Sequence, residues 1–292
     1  MSISTSFSQY NLDMGVGFGA SGYLGEIGGK NNVSKGFVGD LLLKQTNITA
    51  GWFMRNKLTP KWAINSGLNY VRLAGDDANT PEGPRNWRNL RFKNDIFELT
   101  SKVEFTFLEI ADLGRKGRYN TNLHLYAHTG FTLFYHTPMG STNGSNWVKL
   151  RPLKTEGVSY KKIGFASPTG GGVIITHNRY TRFGLVLNYT KTFTDYLDDI
   201  STVYADPQTL SEQGRELANQ YIGPENELPS FSPGERRGDP SDDDVYLTIS
   251  LTYSRYLLGQ NKYYRGGAGR ARYYYKPKSF QRSKSRIIRS KF

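Results

Sequence analysis

The sequence contains no cysteine, which excludes a disulfide framework and thiol catalysis but fits a periplasmic or outer-membrane setting as well as a cytosolic one. No stretch approaches the roughly 18 uncharged apolar residues that a membrane helix needs. The opening stretch MSISTSFSQY lacks the charged and apolar regions of a secretory signal, so the expectation is a cytosolic chain or a mature form. No internal repeat of fixed period is present. Acid is missing from one segment. Residues 257–292 hold eleven lysines or arginines (Lys262, Arg265, Arg270, Arg272, Lys276, Lys278, Arg282, Lys284, Arg286, Arg289, Lys291) and no Asp or Glu. Taking those eleven from the net +13 leaves +2 for everything before them, so the basicity belongs to one segment and not to the fold.

What the sequence does have is 32 glycines, 20 tyrosines and 16 phenylalanines, a strand-and-turn composition. VYLTISLTYSRY alternates with a period of two: Val245, Leu247, Ile249, Leu251 and Tyr253 share one face, Tyr246, Thr248, Ser250 and Thr252 the other. RFGLVLNYT, LHLYAHTGFTLFY and KWAINSGLNYV read the same way. The pattern gives eight strands, at about 12–25, 46–54, 61–75, 91–108, 120–135, 169–177, 181–191 and 245–256. Most reach the 9–11 residues of a tilted bilayer-crossing strand. Connections after the second, fourth and sixth strands are short and the others long, the layout of an outer-membrane barrel with both termini in the periplasm. The expected fold is therefore all-β: an eight-stranded antiparallel transmembrane barrel over residues 1–258, with long extracellular loops and a basic periplasmic extension over 259–292. Trp52 and Trp62 flank one short turn, where an aromatic girdle would sit. TLSEQGRELANQY has helical spacing of Leu210, Leu217 and Tyr221 inside the last long loop.

Charges on the second face of DIFELTSKVEFTF have a consequence in a barrel. Glu98, Lys102 and Glu104 would be costly against lipid, so they are expected in the lumen, paired with basic groups such as Arg182. Eight strands leave room for little beyond their own side chains, which argues against a wide pore. His124, His128 and His136 have equal strand parity, but on a strand four residues span about 13 Å, too far to share one ion. They read as lumen residues. Asp195, Asp198, Asp199 and Asp206, with Asp239, Asp242, Asp243 and Asp244, do not match the oxygen spacing of a dedicated calcium loop. Local capping is the expectation, with Thr192 or Thr194 accepting from a free N–H and Asp195 near a helix N-terminus. No metal, cofactor or catalytic set is expected. The glycines at 15, 17 and 19 alternate along a strand, which favours small lumen-facing residues over a phosphate-binding turn.

Six stretches then resemble a known family: GASGYLGEIGG, YVRLAGDD, RNLRFKNDIFELTSKVEFTF, WVKLRPLKTEG, TFTDYLDDISTVYADP and RRGDPSDDDVYLTISLTYS. In this order they look like PorG-type outer-membrane barrels of the type IX secretion and gliding apparatus of Bacteroidetes. TDYLDDIS, with Asp195, Tyr196, Asp198 and Asp199, is the most specific part. One departure is TEGVS where TEGQG is expected. The resemblance implies a non-enzymatic barrel in outer-membrane lipid that contacts a periplasmic ring built from the lipoprotein PorK and its partner PorN. Two other classes compete: a barrel enzyme acting on lipid or surface glycan through His124, His128 or Glu98, and a soluble β protein that binds nucleic acid through a basic arm. Periplasmic exit of the chain makes nucleic acid an unexpected partner. The cations of the last segment, interleaved with Tyr263, Tyr264, Tyr273, Tyr274, Tyr275 and Phe280, instead suit a segment that orders on an acidic protein surface, the PorK-like lipoprotein first.

Overall fold

The structure, a computed structural model, describes residues 12–28, 45–80, 83–111, 121–177, 181–224 and 232–257. The basic extension 259–292 and its candidate binding residues lie outside them. Eight long strands form the wall: β1 (Leu12–Leu24), β2 (Asn47–Lys57), β3 (Trp62–Asp76), β4 (Arg91–Ile110), β5 (Thr121–Gly140), β7 (Ile163–His177), β8 (Thr181–Thr192) and β9 (Val245–Tyr256). A two-residue strand, β6 (Val148–Lys149), adds to the end of β5. Each long strand pairs antiparallel with its sequence neighbours, and β9 pairs with β1, so the sheet closes with no free edge. Closure gives every long strand a hydrogen-bonded neighbour on both sides, the condition for crossing hydrocarbon with strands. Among the described residues no helix is long and apolar enough to cross a membrane.

The alternation read from the sequence sorts the side chains. Val16, Phe18, Leu68, Phe97, Leu99, Phe131, Phe165, Phe183, Leu187 and Leu251 are exposed on the outside. Polar groups on that outer surface pair with each other: Ser66 Oγ lies 3.4 Å from Ser101 Oγ, and Thr129 Oγ1 lies 3.3 Å from Thr169 Oγ1. Trp62 packs on Phe105 with ring centroids 4.7 Å apart at the short-turn end. Trp52 stands opposite Leu68, further from the turn, and so joins the apolar belt rather than a girdle. An apolar outside around a polar and packed inside is the architecture of a bilayer-spanning barrel.

Two boundaries differ from the sequence pattern. β7 begins at Ile163, not 169, because Gly164 and Pro168 interrupt the apolar signal without interrupting the strand. Gly164 is small because the Phe134 ring fills its space: a Cβ there would lie 2.5 Å from Phe134 Cζ. Pro168 keeps its place opposite Thr190 on β8, while pairing to β5 skips from Thr169 to Ala166, which removes the need for its missing N–H. β5 runs on to Gly140 through Pro138, whose carbonyl accepts from the Leu150 amide at 3.0 Å. The helical spacing in the last long connection does form a helix, α1 (Glu212–Ala218), capped by Ser211 Oγ accepting from the Gly214 amide at 3.1 Å.

Belt residues in the middle of a strand should tolerate charge least. Leu251→Arg is expected to lower unfolding free energy in lipid bilayers by about 2–4 kcal/mol and Leu257→Arg, at the strand end, by about 0–1 kcal/mol. Guanidinium titration followed by tryptophan emission measures both, and equal costs would contradict a bilayer around the belt.

Candidate functional site

The interior has three levels. Nearest the short turns is an ionic cluster. Arg55 Nε donates to Glu104 Oε2 at 2.6 Å, and Arg55 Nη1 lies 3.5 Å from Asp13 Oδ2. Arg182 Nη1 donates to the same Asp13 oxygen at 2.8 Å, Ser254 Oγ donates to it at 3.1 Å, and Asn65 Nδ2 donates to Glu104 Oε1 at 2.7 Å. Arg182 also stacks 4.0 Å over the Tyr256 ring. All four charged groups are almost fully buried, and two cations meet two anions. Gly15 leaves the room this needs, since a Cβ there would sit 2.7 Å from Phe53 Cζ, beside Arg55. Removing one partner from such a set costs about 3–5 kcal/mol, because the other charge stays buried.

At mid-height lies a cavity of about 70 Å³, room for a few waters, lined by Lys102, Glu98, Asn69, Asn188 and Thr248 among others. Lys102 Nζ donates to Asn188 Oδ1 at 3.2 Å, and Tyr246 donates its hydroxyl to Glu98. Glu98, Lys102, Glu104 and Arg182 thus all point inward, but the expected partner is corrected: Glu104 is held by Arg55, while Arg182 is held by Asp13. The three imidazoles are dispersed along β5. His124 Nδ1 lies 3.8 Å from Glu109 Oε1, His128 Nε2 lies 2.9 Å from Asn188 Oδ1, and His136 Nε2 lies 3.0 Å from the Lys161 carbonyl. Their partners are a carboxylate, an amide and a carbonyl, not a hydroxyl nucleophile. Among the described residues no group of three or more His, Asp or Glu is placed to hold a metal ion.

The third level is a cap where the long connections meet. An apolar nucleus of Val71, Leu73, Phe92, Ile96, Phe134 and Tyr246 from the wall takes Leu197 and Ile200 of TDYLDDIS into the mouth of the barrel, both fully buried. Hydrogen bonds fix that stretch on every side. Asn94 Nδ2 donates to the Leu197 carbonyl at 2.8 Å, the Leu197 amide donates to Asp244 Oδ2 at 2.8 Å, and Tyr23 donates to the other Asp244 oxygen. Asp198 accepts from the Ile27 and Ile200 amides at 3.3 and 3.0 Å. Asp199, in the left-handed region at φ 72°, accepts from Tyr160 at 2.6 Å, and its carbonyl accepts from Arg237 Nη1 at 2.7 Å. Arg237 also binds Glu156 at 3.0 Å, and Tyr196 stacks on Tyr160 with centroids 4.6 Å apart. Asp77, fully buried, accepts from Arg88 at 2.8 Å and from the Gly28 amide at 2.9 Å.

Capping by these acids is as expected for Asp198, Asp206 and Asp239, which accept from nearby amides. Two details are corrected. Thr192 Oγ1 donates, to the Thr194 and Asp244 carbonyls, rather than accepts. No helix starts at Asp195, since α1 begins at Glu212. Sequence reasoning missed Asp13, Arg55, Glu156 and Arg237 as cluster members. Inward parity beside Phe53 could have found Arg55; nothing local joins Arg237 to Glu156.

Residues 1–211 match the family described as Domain of unknown function (DUF6089). The chain belongs to the DUF6089 family. No curated protein matches it. Solved structures similar to this DUF6089 chain include Ail, the attachment invasion locus protein of Yersinia pestis, in complex with the heparin analogue sucrose octasulfate, at 8% identity and TM-score 0.34, covering 84% of this chain and 98% of that one. The N-terminal β-barrel domain of Pseudomonas aeruginosa OprF follows at 7% and 0.34, covering 85% and 99%. Neisserial surface protein A stands at 6% and 0.38, covering 86% and 98%. The barrel itself is read from strand register, independently of these likenesses.

Carboxyls outnumber cations in the cap, and burial raises the pKa values of Glu26, Asp195, Asp198, Asp199 and Asp244. Asp195 is pushed up to about 8 and Asp199 to about 6, in both cases chiefly by loss of water. Glu26 and Asp244 are raised by burial and by acidic neighbours, and Asp198 by burial against the opposing pull of the Ile200 amide, Tyr23, Arg88 and Arg237. The folded cap therefore holds protons that an unfolded chain releases above about pH 4. Its stability is full below that pH and is lost as pH rises through 6 and 8. Amide exchange at Leu197 and Ile200, corrected for intrinsic rates, is expected to be faster at pH 8.5 than at pH 5.5. Slower exchange at the higher pH would contradict the protonated cap.

Proposed function

We propose that this barrel resides in the outer membrane and serves as a non-enzymatic anchoring or assembly part of the type IX secretion and gliding machinery. Its partner would be a periplasmic ring of PorK-like and PorN-like subunits. The observation that carries the reading is the filled interior: among the described residues, ionic cluster, small cavity and cap leave neither a pore nor a paired nucleophile and base, so the outer surface and the chain ends are what remains for interaction. The six stretches that resemble PorG-type barrels support it, because their residues Tyr23, Asp77, Glu156, Asp199 and Asp244 all take part in the cap.

Strands β1 and β9 leave the wall side by side at the short-turn end, where Asp13 pairs with Tyr256 and the Leu257 amide donates to the Leu12 carbonyl at 3.0 Å. With long loops outside the cell, that end faces the periplasm and delivers the basic extension to the ring. Charges would speed encounter with an acidic surface of the lipoprotein, and Tyr263, Tyr273 and Phe280 would anchor it. Deleting residues 259–292 is expected to leave a folded, inserted barrel while ring subunits co-purifying with it fall sharply, most at raised salt. Full recovery of the ring by the truncated protein overturns the docking role.

A further inference from the structure

On one side of the barrel the outward face changes character toward the long connections. Register sets Leu68, Leu99, Leu133 and Phe165 side by side across β3, β4, β5 and β7. Two residues further along come Tyr70, Phe97, Tyr135 and Ile163, and four further Ala74, Lys93, Met139 and Lys149. Two arginines on this face are taken by acids, Arg72 by Asp95 at 2.7 Å and Arg91 by Asp76 at 3.0 Å. Among the described residues Lys93, Lys149 and Lys162 make no ion pair. The Lys93 ammonium lies 4.3 Å over the Trp147 ring and that of Lys162 lies 6.0 Å from the Tyr135 centroid. Lys149 is exposed beside Met139. With strands about 4.8 Å apart, the Lys93 and Lys149 backbones are about 10 Å from each other, within reach of one anion for two long flexible side chains.

We propose that Lys93, Lys149 and Lys162 form a binding site for the phosphorylated headgroup of a membrane lipid, whose acyl chains lie on Leu99, Leu133 and Phe165. The proposal rests on the bilayer-spanning reading of the barrel. Three features point to a lipid rather than to lysines that merely reach for water, as isolated interfacial lysines do. The three cations stand together on adjoining strands: the corresponding outward positions of β1 and β9, Ala20, Gly22 and Leu247, carry no charge, and β8 carries the single outward lysine Lys191. Among the described residues no carboxylate pairs directly with them, and Asp95, the acid nearest Lys93 along β4, is held by Arg72. The three lysines also stand just past the apolar surface, beyond the single row of Arg72, Asp95 and Thr137, with Tyr135 and Trp147 beside them, so a headgroup and its chains are met together.

The test uses the full chain in phosphatidylcholine nanodiscs doped with lipid A, a bis-phosphorylated glycolipid, or with its dephosphorylated form, and reads lipid retention by native mass spectrometry. The wild-type protein is expected to retain lipid A over the dephosphorylated form. The variant Lys93→Gln/Lys149→Gln/Lys162→Gln should lose that preference by about a hundred-fold, roughly one surface lysine's attraction for anionic lipid at each position. Lys191→Gln, on β8, should keep it. Equal retention of the two lipids by an inserted wild-type barrel overturns the site alone, whereas failure to enter any nanodisc overturns the bilayer reading. Displacement of lipid A by millimolar inorganic phosphate would assign the lysines to a free anion and also overturn the lipid site.

Discussion

A backbone in hydrocarbon has no water to bond, so its strands must close on one another. That constraint shapes the rest of this molecule. Pairing of β9 with β1 closes an eight-strand ring, and eight strands make a lumen only as wide as the side chains that fill it. Outward positions at mid-height are then free to be apolar, while the charged residues of the wall at that depth, Glu98, Lys102 and Glu104 among them, face inward into a narrow tube. Arg55 and Arg182 against Asp13 and Glu104 are the outcome: a buried set that is neutral in sum and joined by hydrogen bonds. Breaking it leaves a bare charge in a dry place, so the cluster pins the four strands β1, β2, β4 and β8 to one stagger.

The other end is sealed by different physics. Leu197 and Ile200 enter an apolar nucleus, and the acids around them serve the backbone: Asp198, Asp199 and Asp244 accept amide or hydroxyl protons that would otherwise be orphaned. Burial of Asp195 and Asp199 in this space raises their pKa values and keeps part of the set protonated, which links the closure of the mouth to acidity. A barrel closed at one end by ion pairs and at the other by a packed loop is a rigid body. Rigidity suits a part that holds other parts in place.

Much of this was legible in the sequence because a period of two is robust: eight strands and the inward parity of Glu98, Lys102 and Glu104 followed from alternation alone. Partners were not, because pairing across a barrel depends on stagger and not on spacing. Arg55 lies 49 residues from Glu104 and Arg182 lies 169 from Asp13. The start of β7 was hidden for a related reason, since Gly164 makes sense only once Phe134 is beside it. TDYLDDIS stood out as a motif, but its use as a plug depends on Ile27, Asn94, Thr155 and Arg237, contributed by four other parts of the chain.

The central claim is that this sealed barrel works as an anchor through its short-turn end. Electron microscopy of the protein purified with its native partners from outer membranes tests it most directly. The expected image is an eight-stranded barrel seated on a periplasmic ring by the end where β1 and β9 leave the wall, with the capped mouth facing away. A barrel that carries no ring, or that meets its partner through the capped end, would contradict the account.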